Sequence, residues 1–587
     1  MDFLIPVDDR LPRACHIRRL GCGGLLYGPL RMNSFESDRV RAVELLWALK
    51  RACDERDRAE MPLVHFRLLL DDPGYRIQVA RKALALDDEA ISPIAREIVE
   101  RIEAARMPDD LSGDARKRQR AEAGAGVRDA VDPVREAPTD TGSGPEEAGR
   151  QARLARRLVP VALASIMVAA SAVLYGLSGT SEVAVREAIT EDTKWRAGKT
   201  YVLQDLIFVE DGATLTIEPG VTVRGRPGSA LIVTRDARIF ARGTHDAPIV
   251  MTSAQPDGQR AAGDWGGLVL LGNAPLNVGE SHVEGIAASD KRGDFGGRDP
   301  QHNCGVLEYL RVEFAGFELA RNVELNGLTL GGCGEATVVR HVQVHRGLDD
   351  GIEVFGGNVH LSHVLVTGPD DDGLDWDLGW RGRAQFVIVQ MYPNIGDSAI
   401  EADNLAADHD ASPRSAPQIA NATLLAERAS RRSHRAMTLR RGSAGDFRNF
   451  LISGFNDETI DLRDEAAAKL VSSRELQFAA IGVHDSGPVV DAPFPDEQGD
   501  ADDDAGFSES SYFQESGRAQ SLGRSGLSRE ARSTRAPDFV PREPPPNAMA
   551  VALPQGEFWD EGASYLGAID PVLKQDWTQG WTAYPEN

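Results

Sequence analysis

At 587 residues the chain is long enough for several domains, and 58 glycines with a 6% aromatic share favour a turn-rich domain over a helical enzyme. A formal net charge of −25 sets an acidic surface against nucleic-acid phosphate, which argues against nucleic acid as a partner and fits either bound cations or plain solubility. Five cysteines are too few for a scaffold built from disulfides.

Residues 1–107 read as a small helical domain. Apolar positions recur at helical spacing in VELLWAL (43–49) and IAREIVERI (94–102), with charges between them. Cys15, His16 and Cys22 lack a second ligand pair at zinc spacing, so the cysteines before residue 60 are ordinary thiols. The stretch 108–157 is rich in Asp, Gly, Ala, Arg, Pro and Glu and has no aromatic residue, the composition of a linker that cannot build a core.

Residues 158–180 carry no charge and are long enough to cross roughly 30 Å of hydrocarbon as one helix. Arg150, Arg153, Arg156 and Arg157 stand before it, and acidic residues follow. Positive charge stays on the cytoplasmic side, so the expected topology is a single-pass cell-membrane protein with its N-terminus in the cytoplasm. The C-terminal bulk then lies in the periplasm or on the cell surface. Residues 1–107 are left to meet a cytoplasmic partner.

From Trp195 the texture changes to short β-rich runs broken by Gly, Asn and Asp, as in ATLTIEPG (213–220) and ARIFARG (237–243). The segment VRHVQVHRGLDDGIE (339–353) aligns without gaps on LSHVLVTGPDDDGLD (361–375), with His341 matching His363 at an offset of 22 residues. That offset is the path length of one coil of a parallel β-helix. Looser copies run from Phe386 to Glu401 and from Phe450 to Asp461. No such rung buries its apolar face alone, so several must stack. The fold class expected is mainly β: a single-stranded parallel β-helix over 195–464, with the loop-rich segment 465–587 capping it.

The acids of the repeated turn are the candidate chemistry. Stacking brings Asp349, Asp350 and Glu353 beside Asp371, Asp372, Asp375 and Asp377, with Asp370 close by. Crowded carboxylates either hold protons or bind a cation. An all-oxygen set suits Ca²⁺; alternatively each Asp caps its own turn through backbone N–H groups. Asp371, Asp372 and Asp375 are the catalytic candidates, with Arg381 or Arg383 as the base of a lyase. Trp376 and Trp380 are candidates for stacking on sugar rings, and Arg440 and Arg441 on a later rung for binding a ligand. The acidic run DADDD (500–504) begins like a calcium loop but lacks the glycine and the closing glutamate at the required places. Cys304 and Cys333 fall on neighbouring rungs, either as a disulfide or as two buried thiols.

The segments TLTIEPGVTVRG (214–225), IFARGTHDAPIVMTS (239–253), DWGGLVLLGNA (264–274), DDGIEVFGG (349–357), DDGLDWDLGWRGRAQF (371–386) and YLGAIDPVLKQDWTQGW (565–581) together resemble a family of bacterial exported β-helix surface proteins. The resemblance spans roughly 195–581 and implies a right-handed parallel β-helix and export, with no settled activity. The function expected is an envelope binding, scaffold or adhesion module for glycans or other envelope components. The alternatives are a Ca²⁺-dependent polysaccharide lyase or glycoside hydrolase, and a transmembrane sensor.

Overall fold

The computed structural model describes Leu49, Val79, Ala80, residues 83–84, the helix Ser92–Arg106, and residues 181–587 except 321–322, 490–492, 496–503 and 516. The segments read as linker (108–157) and membrane helix (158–180) lie outside the described residues, as does most of 1–107. Among the described residues no helix is long and apolar enough to cross a membrane.

Two parallel ladders form the body. The first runs Ser181–Val185, Lys199–Leu203, Thr222–Gly225, Ile249–Ser253, Gly305–Glu313, Val338–His345, His360–Thr367, Arg383–Gln390, Gln418–Leu425, Gly445–Ser453, Leu476–His484 and Ala519–Ser521. The second runs Leu206–Val209, Ala230–Val233, Leu268–Leu271, Leu328–Gly331, Ile352–Phe355, Leu374–Asp377, Ser398–Ala402, Arg435–Leu439 and Ile460–Leu462. From Leu328 onward the chain alternates between the two, one strand of each per coil, which is a parallel β-helix. The rungs begin before Trp195 and continue past 464.

The repeat read in the sequence is the register itself. Val342 pairs with Val364 and Val364 with Val387, so each coil sets one inward aliphatic residue on the last. In the second ladder Ile352 meets Leu374, and Leu374 meets Ile400. These side chains are buried in one continuous core. Each long strand of the first ladder is bent in its interior at one side-chain-bearing residue of positive φ, at Tyr309, His341, His363, Phe386, Asn421, Asn449 and Ala480. Left-handed backbone is unfavourable for side-chain-bearing residues. Here it recurs in register, so the rings meet: Tyr309 stacks on His341 at 4.4 Å and His341 on His363 at 4.5 Å, while Phe386 lies tilted against His363 at 4.6 Å.

In the C-terminal segment Phe513 joins the interior core at the last coils, 5.2 Å from Phe478, and the chain beyond it turns away from the end of the stack. It runs back along the bent flank, from Leu522, whose N–H donates to Val483 O, to Asn587, whose carbonyl accepts from Gly258 N. Between them Asn421 Nδ2 donates to the carbonyls of Ala563 and Tyr565, and Gln343 Nε2 to that of Ala583. The reason is the bend column: its outward amide side chains supply donors and acceptors that an extended chain can satisfy rung by rung.

Cys304 and Cys333 are bonded, with Cα atoms 5.8 Å apart and a sequence separation of 29. Replacing both with Ser is expected to lower the unfolding free energy by about 3–4 kcal/mol, the loop-closure contribution for a loop of this length. Intact mass before and after reduction checks the bond, and thermal melts check the loss.

Candidate functional site

The turn that enters each strand of the second ladder is built around a glycine. A Cβ on Gly351 would stand 2.3 Å from Val366 Cγ1, and one on Gly373 would stand 2.4 Å from Val389 Cγ1. Only glycine lets the turn press that closely on the coil. The aspartate before each glycine is thereby fixed: Asp350 Oδ1 accepts from Asp372 N at 3.0 Å, and Asp372 Oδ1 accepts from Ser398 N at 2.6 Å. These two acids tie rung to rung, each accepting from the turn of the next coil and not from its own.

Two residues after the glycine, the outward position of the strand carries a second column of acids. Glu353 pairs with Asp375, and the Leu374–Ile400 register brings Glu401 alongside. A third column holds Asp377, with Asp403 on the next coil. Together they line a cleft of 310 Å³ with ten carboxylates (Glu284, Asp349, Asp350, Glu353, Asp371, Asp372, Asp375, Asp377, Glu401 and Asp403) and two guanidiniums, those of Arg440 and Arg441. Both guanidiniums are engaged. Arg440 bonds Glu401 and reaches Asp403 at 2.8 Å, and Arg441 reaches Asp403 at 2.6 Å.

Burial, reinforced by neighbouring negative charge, pushes Asp350, Glu353, Asp372 and Asp375 well above the usual carboxylate range. Burial raises Asp377 to about 6 and Glu401 to about 7, the latter against the opposing charge of Arg440. For Arg440 burial works against the charge, but the bond to Asp403 and the charges of Glu401 and Asp403 outweigh it, so its pKa is raised.

The donor set fits a hard divalent cation. Carboxylate oxygens of Asp350, Glu353 and Asp375 lie within 4.8 Å of one another, as do those of Asp349, Asp350 and Asp371. No nitrogen or sulfur donor joins either group, which favours Ca²⁺ over zinc or copper.

The structure therefore brings together all the acids named from the sequence as metal candidates, with Arg440 and Arg441. It separates the rest. Arg381 lies in another cleft, beside Asp410 and Arg414, and Arg383 opens a strand of the first ladder. Trp376 and Trp380 are 0% exposed, their indole N–H groups donating to Ser443 Oγ and the carbonyl of Val359. Both rings belong to the interior core and are closed to sugars, Trp376 because the inward positions of its strand fall on 374 and 376. Asp370 is not among the residues lining the cleft.

Sequence reasoning left out Glu401, Asp403, Asn326 and Glu284. The first two had a signal, since Glu401 and Asp403 repeat the two-residue spacing of Asp375 and Asp377. Asn326 bonds Glu353 and accepts from Asp350 N, taking the place of an acid on the preceding coil. Glu284 arrives on a hairpin with no counterpart in the repeat.

A larger cleft of 700 Å³ lies between the bent flank and the C-terminal segment. Its carboxylates cap their own turns: Asp560 accepts from Gly562 N, Asp570 from Val572 N and Leu573 N, and Asp576 from Thr578 N. The smaller cleft is the better candidate, because its acids crowd one another across rungs.

A family model described as a pectate-lyase-like β-helix domain matches residues 187–506, more than half of the 587 residues. No curated protein and no solved structure matches the chain.

Proposed function

We propose a function from one premise: the chain belongs to the family of pectate-lyase-like β-helix domains. Our reading is a membrane-anchored, right-handed β-helix that binds acidic polysaccharide through a divalent cation outside the cytoplasm. The anchor is the uncharged segment 158–180, and the hand follows the rule for parallel crossovers.

The excess of carboxylates in the cleft carries the reading. Such a surface repels a uronate chain unless a cation reverses its sign. Asp350, Glu353 and Asp375 are the residues that would hold Ca²⁺. The ion supplies charge neutralisation and coordination positions for a glycan carboxylate. Arg441, which lines the same cleft with its side chain 37% exposed, adds positive charge beside the acids.

Binding is favoured over lyase chemistry by the state of the arginines. Arg440 is held charged by Glu401 and Asp403 and so has no capacity to accept a proton, while Arg381 and Arg383 lie elsewhere. Titrating full-length protein with polygalacturonate is expected to show binding with Ca²⁺ that weakens about tenfold or more with chelator. No ultraviolet absorbance from unsaturated uronide should accumulate. Binding indifferent to chelator would sink the cation reading, and unsaturated ends would reassign the site to a lyase.

A further inference from the structure

We infer that the larger cleft, between the bent flank and the C-terminal segment, is a second binding site, for a linear oligoamine whose ammonium groups are joined by methylene runs. It shares no residue with the acidic cleft and does not rest on the glycan reading given to that cleft.

The cleft forms where the column of bends changes chemistry. Tyr309, His341, His363 and Phe386 carry rings, whereas Asn421 and Asn449 on the following coils carry amides. The C-terminal segment is fastened on both sides of that step. On the ring side Trp581 meets Tyr309 and His341 edge-on, at 5.7 and 6.0 Å. On the amide side Asn421 Nδ2 donates to the carbonyls of Ala563 and Tyr565, and Asp560 N donates to Gln385 Oε1. Between these anchors the stretch 570–576 stands off the flank, with Val572 73% and Leu573 67% exposed. The stand-off is held from within. Asp570 Oδ1 accepts from Val572 N and Leu573 N, Asp570 O accepts from Lys574 N, and Trp577 Nε1 donates to Ala568 O at 3.0 Å. The space so enclosed, 700 Å³, is that of a small-molecule site.

Two kinds of group line it. The first is aromatic: His363, Phe386, Phe558, Tyr565 and Trp577. These rings are packed in place, Trp577 perpendicular to His363 at 5.3 Å and Phe558 against His360 at 5.0 Å. The second is the carboxylates of Asp560, Asp570 and Asp576. Each spends one oxygen on its own turn, and among the described residues no protein donor or cation meets the other.

Nothing in the lining cancels those charges. It contains no lysine or arginine, and burial lowers His363 to about 3, so its imidazole is neutral. Burial, and then the charges of Asp570 and Asp560, raise Tyr565, so its phenol is neutral too. Such a cleft repels anions, uronates included, and attracts cations. The three acids do not converge within 4.8 Å of one another, unlike the acids of the smaller cleft, so they make a poor cage for a metal ion. A single ammonium would match one carboxylate and leave the others unmatched. A ligand with several ammonium groups along one chain matches them together, and the rings take both its charges, by cation–π contact, and its methylenes, by burial.

The test titrates full-length protein in detergent, by calorimetry, with spermidine, choline and galactose. Excess Ca²⁺ is present to compete for the acidic cleft. One spermidine should bind per protein, about tenfold or more tighter than choline, with no binding of galactose. The variant Asp560→Asn/Asp570→Asn keeps the oxygens that cap the two turns and removes two charges, and it should bind spermidine about tenfold or more weakly. Phe558→Leu keeps apolar bulk and removes one ring, and it should weaken spermidine about threefold. Melting curves check that both variants are folded. No spermidine binding by the native protein, or galactose bound as tightly, would overturn the inference. Native affinity in the double asparagine variant would place the amine elsewhere and overturn it as well. Unchanged affinity in Phe558→Leu would overturn the part given to that ring. No arm contains polygalacturonate, so the glycan reading stands or falls separately.

Discussion

Asp375→Asn is expected to raise the melting temperature of calcium-free protein at about pH 7.5 and to remove most of its stabilisation by calcium. The two effects have one cause. Asp375 is packed against Glu353 and Glu401, and burial followed by their charges holds its carboxyl well above the usual range. An acid whose pKa is raised by folding binds its proton more tightly in the folded state. Its contribution is therefore fully present below the unfolded value and is lost as pH climbs to the folded one. Asp377, at about 6, and Glu401, at about 7, place that loss between roughly pH 4 and pH 7. A shift of two units corresponds to about 3 kcal/mol. Metal-free protein should lose stability across this window, and calcium should restore it more at high pH than at low, since the ion replaces protons. Asparagine keeps the shape and is neutral without taking up a proton, which relieves the conflict by about 1–2 kcal/mol without metal. At a hundredfold excess over its dissociation constant, calcium should add about 2.7 kcal/mol to the native protein and much less to the variant. Melts with calcium and with chelator, at several pH values, read both signs. A variant less stable than native under chelator would mean that the acids are not in conflict.

Gly373→Leu is expected to abolish soluble folded protein, whereas Gly198→Ala should cost only about 1–2 kcal/mol. At Gly373 a Cβ would stand 2.4 Å from Val389 Cγ1 and 2.6 Å from the Ala399 carbonyl, and that carbonyl belongs to the next rung. Relief requires separating coils that share the interior core. A small overpacking already costs about 1–3 kcal/mol, and leucine adds three more carbons to it. At Gly198 nothing lies within 4 Å, so only the positive φ is felt. Gly373→Ala is the informative intermediate. If it folds, the shifted turn should displace Asp372 and weaken calcium binding without touching a carboxylate. Expression yield, circular dichroism and calcium titration together separate loss of fold from loss of site. Native-like folding of Gly373→Leu would mean that the turn does not press on the coil as described.

The repeat was legible because a β-helix writes its register into the chain. His341 and His363 occupy equivalent bends, and Asp350 and Asp372 equivalent turns, at one constant offset. The acids of the cleft followed from the same periodicity, since residues one coil apart stack whatever their role. The sequence did not separate inside from outside within LDWD (374–377). Strict alternation sends Leu374 and Trp376 inward and Asp375 and Asp377 outward. The tryptophans, read by chemistry as sugar platforms, are core residues by position.

The sequence by itself determined the stacked parallel coil and the crowding of Asp349 to Asp377, because both depend only on periodicity along one chain. Tertiary structure decided which arginines reach the acids, where the C-terminal segment lies and that a hairpin brings Glu284 to the cleft. Arg440 and Arg381 are equally plausible neighbours in sequence, but only the first falls on the outward face of the acidic ladder. Residues 522–587 and 281–295 stand outside the repeat, so their partners are set by the shape and hydrogen-bonding needs of a surface that exists only once the coil has formed.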